Sequence, residues 1–224
     1  MSANLIHLLV EATLQTLYMV AISGLLGALF GLPLGVYLAI SQRGELLSSP
    51  VINKVLGLVV NATRSVPFII LVVAIIPLTR MIAGTSIGTT AAIVPLTIAA
   101  VPFIARLVEN AIREVDGGLI EAARSMGATP FQIIRKVLIP EALPSITLGL
   151  TLALVSLIGY SAMVGAVGGE GLGDLGIRYG YQRFMPDVML VVVVILIVLV
   201  QLVQSLGEWI AARVDKRAPK SRGN

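Results

Sequence analysis

The chain contains no cysteine and one histidine. Without cysteine there is no disulfide, no thiol nucleophile and no thiolate metal site. The lone His7 leaves any metal chemistry to scattered carboxylates. Charged residues make up 12% of the 224 residues, against about 25% in a soluble domain. No Lys or Arg occurs in the first 30 residues. A secretory leader with a positive n-region is therefore not expected, and the first apolar stretch reads as a permanent span. No G-x-x-x-x-G-K-[ST] run occurs, so ATP hydrolysis through a P-loop is not expected of this chain. Neither a solenoid period nor a low-complexity linker is present, and residues 1–224 read as a single domain.

Apolar residues dominate instead. They account for 57% of the chain, and the mean hydropathy is +0.96. Such an excess needs lipid as solvent. A membrane-crossing helix takes about 20 mostly apolar residues. Five stretches qualify: Thr16 to Ile40, Val55 to Thr79, Gly88 to Val108, Ser145 to Val167 and Val188 to Ile210. The reading is an all-α membrane protein with about five transmembrane helices. The second stretch is interrupted by Arg64, which reads either as a functional intramembrane charge or as a side chain snorkelling to the inner interface. The structural reading is preferred.

A sequence pI near 9.7 would suit nucleic acid, but basic residues on a membrane protein set topology. With the N-terminus outside, Arg43, Lys54, Arg106, Arg113, Arg124, Arg135, Lys136 and the basic tail 213–224 all fall inside. Only Arg80, Arg178 and Arg183 fall outside. The bias predicts N-out/C-in and a membrane-lipid partner, not nucleic acid. Tyr179, Tyr181, Phe184 and Trp209 suit the two interfacial belts. Gly27, Gly31 and Gly35 recur on one face of the first span and predict close approach of another helix. Pro33 and Pro67 are candidate bends.

The loop of about 117–140 carries the clearest local grammar. A first helix is predicted over Leu119 to Met126, with Gly127 as a left-handed cap. Thr129, Pro130 and Gln132 form a capping box with proline at N1, which starts a second helix running to about Ile139 before Pro140. Glu121 and Arg124 are spaced to pair, and Ala122 and Ala123 leave a shallow surface. These residues alone leave two readings open: a docking surface, or a solvated connecting loop.

Gly171-Leu172-Gly173-Asp174-Leu175-Gly176 matches G-x-G-x-x-G, but it follows an apolar span on the outer side. A dinucleotide fingerprint needs a βαβ unit, so the glycines are expected to shape a tight outer loop. An ion-coupled secondary transporter usually carries buried acids or histidine in its spans; the span centres here hold no carboxylate. A membrane enzyme would need a partner for Ser156, Ser161 or Tyr160, and neither a His nor a paired carboxylate is available.

The run Glu121-Ala122-Ala123, then Gly127, then Val137-Leu138-Ile139-Pro140 resembles the signature loop of ABC importer permeases. Val137 and Ile139 replace the usual Ile and Leu of its ending. Arg64-Ser65-Val66-Pro67-Phe68 resembles the second-span segment of amino-acid importers. Ile75-Ile76-Pro77-Leu78-Thr79-Arg80, Gly84-Thr85-Ser86-Ile87-Gly88, Pro102-Phe103-Ile104-Ala105-Arg106, Gly159-Tyr160-Ser161-Ala162-Met163 and Gly165-Ala166-Val167-Gly168-Gly169-Glu170-Gly171-Leu172-Gly173 are similar to the methionine importer permease family. The likeness runs from the first span to the last.

It implies a type I importer in a bacterial inner membrane, taking up D/L-methionine or another hydrophobic amino acid. It also implies a homodimer of this chain, two ATP-binding ABC subunits that hold ATP and Mg, and an external substrate-binding lipoprotein. No cofactor is implied for this chain itself. The resemblance makes Glu121, Ala122, Ala123 and Gly127 the ATPase-coupling residues, and Tyr160, Ser161 and Met163 pathway-lining residues, although a Met on an apolar helix also serves packing.

Overall fold

The computed structural model describes residues 3–42 and 46–215. Arg43 and the basic run from Lys216 onward, both used in the charge reading, lie outside the described residues. Among the described residues every regular element is helical.

Helix α1, Ala3–Ile40, has 38 residues. At 1.5 Å per residue this is about 57 Å, well beyond the ~30 Å apolar thickness of a bilayer. The span expected from Thr16 is its C-terminal part. Asn4, His7, Glu11 and Thr13 hide the N-terminal extension from a hydropathy reading. Leu9 and Ala12 anchor it against Leu172, Leu175, Val188 and Val192.

The second expected span is corrected. Val55 to Thr79 is not one rod but three helices: α2 (Pro50–Ser65), α3 (Phe68–Ala74) and α4 (Ile76–Ala83). The axes of α2 and α3 differ by 102°. Pro67 disfavours helical backbone at Val66, which is extended at φ −80° and ψ 125°. Among the described residues, four helices are long and apolar enough to cross a membrane, or five if the bent pair counts as a span.

Helix α5, Thr89–Arg113, packs along α1 through the predicted glycine face. A Cβ on Gly27 would lie 2.7 Å from Ala100 Cβ. One on Gly31 would lie 2.9 Å from Ile104 Cβ, and one on Gly35 2.5 Å from the Ala105 carbonyl oxygen. Only hydrogen fits there, so the two backbones touch along three turns. The main core follows this seam, with Met19, Leu96, Ala100, Ile104 and Val108 buried.

Helices α6 (Gly117–Ser125) and α7 (Pro130–Ile133) form the inner loop and lead into α8, Ile139–Gly165. Helix α8 packs against α5 on one side and α10, Pro186–Val214, on the other. Most of α10 faces outward, with Leu190, Val194, Ile197, Leu202 and Leu206 exposed.

The G-x-G-x-x-G run is corrected as well. Gly171–Leu175 is a short helix, α9, in place of the expected tight outer loop. A Cβ on Gly173 would collide with the Ala162 backbone of α8. The Leu172 N–H donates to Thr16 Oγ1 at 2.9 Å, tying α9 to α1. Next to it, Glu170 adopts φ 61° and ψ −166°, a region that side chains rarely enter. The conformation aims Oε2 at Thr89, whose N–H and hydroxyl lie at 3.3 and 3.2 Å. Glu170 thereby caps α5 from a distant part of the chain.

Candidate functional site

The inner loop is built from two caps in series. Asp116 Oδ1 accepts from the Gly118 N–H at 2.6 Å and starts α6. At its end Gly127 has φ +77°. The Gly127 N–H donates to Arg124 O, and the Ala128 N–H to Ala123 O. This pair of bonds is a Schellman motif, as the glycine predicted. Thr129 follows with both arms of its capping box: Gln132 N–H to Thr129 Oγ1 at 3.4 Å and Thr129 N–H to Gln132 Oε1 at 2.9 Å.

Three details depart from expectation. Ala123 is not surface: it is 4% exposed and packs into the core. It lies one turn from Ile120 on the inward face of α6, whereas Glu121 and Ala122 face out. Among the ion pairs of the described residues, none joins Glu121 to Arg124. And the second loop helix does not stop before Pro140. Residues Ile134–Leu138 form a π turn that runs straight into α8, with the Ile139 N–H donating to Ile134 O. Pro140 has no N–H, and its ring would press on the carbonyl four residues back; a wider turn leaves room for it. The loop from Pro130 onward and α8 thus form one continuous rod, Pro130–Gly165.

Leu119, Met126 and Phe131 sit beside Glu121 and Ala122 and are exposed, Met126 by 81% and Phe131 by 67%. Exposed apolar side chains on a polar loop mark a contact surface. They were legible as apolar letters in a polar run, but their direction was not.

Immediately before this loop lies a charged node that the sequence reading missed. Glu109 is 1% exposed. Its carboxylate accepts from Arg106 Nη1 and Arg113 Nη2, each at 2.5 Å. Gln42 Nε2 adds a 3.4 Å contact from the turn after α1. Arg106 Nη2 reaches Gly57 O and Asn61 Oδ1 of α2. Arg106, counted above with the inner-loop charges, therefore sits within α5 and is neutralised there. The node ties α2 and α5 and the turn after α1 at the root of the inner loop. The i,i+3 and i,i+4 spacing of Arg106, Glu109 and Arg113 was the available signal.

A second feature forms at the α2–α3 break. A cavity of about 130 Å³ is lined by Thr63, Arg64, Phe68, Ala99, Phe103 and Tyr160. Phe68 and Tyr160 stack with centroids 4.4 Å apart and planes 13° apart. The Arg64 guanidinium stands over the Phe103 ring at 5.7 Å. Phe103 is 10 residues from the end of α5, about 15 Å along the axis. Arg64 is thus exposed in the last turn of α2, beside the middle of α5. Of the three proposed pathway residues, only Tyr160 reaches this cavity. Ser161 is buried, and its hydroxyl donates to Ile158 O at 2.7 Å. Met163 is 47% exposed on another face. Neighbours on a helix point about 100° apart, so consecutive letters do not share a wall.

Comparison with known proteins decides the family. Residues 31–217 match the model of the binding-protein-dependent transport system inner membrane component. The chain belongs to this family. It is therefore a transport permease subunit and a multi-pass inner membrane component. The permease is 60% identical over 210 residues to the probable D-methionine transport system permease protein MetI of Vibrio cholerae, covering 94% of this chain and 93% of that one. It is 53% identical over 165 residues to the D-methionine transport system permease protein MetI of Escherichia coli K12, covering 74% and 76%. A chain of the inward-facing MetNI methionine ABC transporter superposes with a TM-score of 0.94 at 50% identity, covering 96% of the permease and all of that chain.

Proposed function

We propose that this permease forms the membrane pathway of an ATP-driven methionine importer, as a homodimer flanked by two ATP-binding subunits and fed by an external substrate-binding lipoprotein. The observation that carries the reading is the inner loop: a doubly capped helical bend, apolar at its exposed tip, continuous with a membrane helix. ATP and Mg act on the partner ATPases. Closure of those subunits moves α6 at its exposed Glu121–Ala122 face, with Met126 and Phe131 as apolar contacts. Ala123 roots the helix in the core and Gly127 holds the bend. The π turn passes displacement into α8 without a joint to absorb it. ATP coupling is preferred to ion coupling because the solved relative that matches over nearly the whole chain is a methionine ABC transporter.

An alternating pathway needs two arrangements within a few kcal/mol of each other. The stiff α1–α5 seam suits rotation as a body, and the α2–α3 break is the place where the bundle bends. Methionine is preferred as substrate because the relatives that match over nearly the whole chain carry that name.

The test is reconstitution in vesicles with the ATPase and binding-protein partners, measuring ATP-dependent uptake of labelled L- and D-methionine against leucine and other amino acids. Uptake of both methionine isomers is expected. An assembled complex that hydrolyses ATP but moves another amino acid in preference would replace the substrate. A purified permease that binds no ATPase would end the coupling scheme.

A further inference from the structure

We infer that Arg106 and Glu109 are positioning residues of the transport cycle. They fasten α2 to the end of α5 from which the inner loop departs, so that displacement of the loop carries α2 with it. The inference rests on the importer reading above and adds to it a second route for motion, separate from the rod into α8.

Helix α2 has almost no core of its own. Val60 is its single buried residue, whereas 13 of the 25 residues of α5 are buried. Val51, Ile52, Val55, Leu58 and Val59 are all more than half exposed. The apolar contact that α2 does make is small: Val60 meets Leu38 and Ala105, with Leu56 beside them. Packing of that extent leaves the attitude of a helix loosely fixed, and directional bonds decide it.

Those bonds lie on one stripe. Asn53, Gly57 and Asn61 are four residues apart and therefore share a face of α2. Asn53 Nδ2 donates to Leu38 O at 2.8 Å and to Ser41 Oγ at 2.9 Å. Leu38 is among the last four residues of α1, whose carbonyls have no partner inside their own helix. Arg106 Nη2 donates to Gly57 O at 3.2 Å and to Asn61 Oδ1 at 2.9 Å. The guanidinium reaches the Gly57 carbonyl because no side chain stands over it.

Glu109 acts through Arg106. Its Oε2 takes Arg106 Nη1 and its Oε1 takes Arg113 Nη2, each at 2.5 Å. Held at both oxygens and 1% exposed, the carboxylate has no freedom to turn. The guanidinium is a rigid planar fork, so fixing Nη1 aims Nη2 at α2. Neutralising Glu109 takes one arginine. With two, a positive charge is left over, and the Gly57 and Asn61 oxygens receive it as charge-assisted hydrogen bonds.

The node also stands at the right place. Arg113 is the last residue of α5, and Asp116, three residues on, caps α6. One carboxylate thus holds both the point where the inner loop leaves α5 and the fork that grips α2. At its other end α2 runs into the 102° break before α3, so a change in its attitude is delivered there.

The experiment uses the full complex of permease, ATPase and binding protein in vesicles. It reads methionine uptake per ATP hydrolysed, the melting temperature, and a spin-label distance. The chain has no cysteine, so Val55→Cys, on the face of α2 away from the stripe, places one label on each copy of the permease when the ATPase subunits are cysteine-free. In the wild-type background one narrow distance is expected, shifting between the nucleotide-free and the ATP–vanadate states. Arg106→Lys keeps the charge beside Glu109 but loses the fork. It is expected to melt close to wild type, to broaden the distance distribution and to lower uptake per ATP about fivefold, on the scale of losing hydrogen bonds from a charged donor. Asn61→Ala leaves both ion pairs intact and is expected to act in the same direction, about twofold, because the bond to Gly57 O remains. It decides the matter if Arg106→Lys does not assemble.

Wild-type uptake per ATP in the variants overturns the inference, even with a lowered melting temperature, because a merely structural node would move stability alone. A label distance that ignores nucleotide in the wild-type background overturns it too, since α2 would then not be carried. A wild-type complex that imports no methionine refutes the importer reading instead, so the two failures are separable.

Discussion

Gly127 offers the sharpest test of the coupling loop. Its φ of +77° lies in the left-handed region, and an added Cβ would meet nothing within 4 Å. A substitution therefore changes backbone preference alone, with no clash to confuse the result. For an L-residue that region costs roughly 1–2 kcal/mol. Asn tolerates it best, Ala worse, and the β-branched Val worst. A cost of about 1–2 kcal/mol is a factor of about 5–30 in the population of the bent loop.

Opening the bend releases the bonds from Gly127 to Arg124 O and from Ala128 to Ala123 O. It also frees the angle between α6 and the rod leading into α8. The assay is methionine uptake per ATP hydrolysed in vesicles holding the full complex. The ratio should fall in the order Gly, Asn, Ala, Val, with ATP hydrolysis persisting while transport is lost. A Val variant with wild-type uptake per ATP would refute the claim that this bend transmits force.

Four further perturbations follow from the geometry. Thr129→Ala removes one arm of the capping box and should cost about 1 kcal/mol; faster amide exchange at Gln132 and Ile133 would register it, and Thr129→Ser should restore protection. Glu109→Ala strands two arginines; breaking a buried pair costs about 3–5 kcal/mol, and the lower end applies because Arg113 is 44% exposed. A lowered melting temperature of the solubilised complex checks this, and an unchanged one would show the node to be idle. Gly35→Ala forces a Cβ to within 2.5 Å of the Ala105 carbonyl oxygen and should destabilise by about 1–3 kcal/mol. Gly57→Ala meets only Arg106 Nη2 at 3.5 Å and should be neutral or better, so equal melting temperatures for the two would contradict the α1–α5 seam. Finally, Glu170→Gly relieves the φ of 61° while losing the cap on Thr89, whereas Glu170→Ala loses the cap and keeps the strain. The Ala variant should therefore melt at the lower temperature.

Much of this molecule was readable from local letters. Gly127 and the Thr129–Pro130–Gln132 run predicted their own backbone geometry, because helix caps depend on residues a few positions apart. The glycines at 27, 31 and 35 announced a tight helix contact, since a stripe of missing side chains serves no purpose on a lipid-facing surface. The apolar runs announced the spans, because bilayer thickness sets their length. None of these signals names a distant partner. That α5 fills the glycine groove, that Glu170 caps Thr89, and that Ala123 turns inward while Ala122 turns out all depend on contacts made across the bundle.

The same division runs through the candidate sites. The apolar pattern continues across Pro67, so hydropathy saw one span where the backbone turns sharply. Hydropathy weighs composition and is blind to direction. Arg64, Phe103 and Tyr160 belong to three helices, and their convergence around one cavity is a product of packing. Membrane residence, a bent inner loop and a helical fold were thus written in short-range chemistry. The stacking of Arg64 over Phe103 at the break and the buried carboxylate of Glu109 beneath the loop became visible only when the helices were assembled, because such contacts act through space and not along the chain.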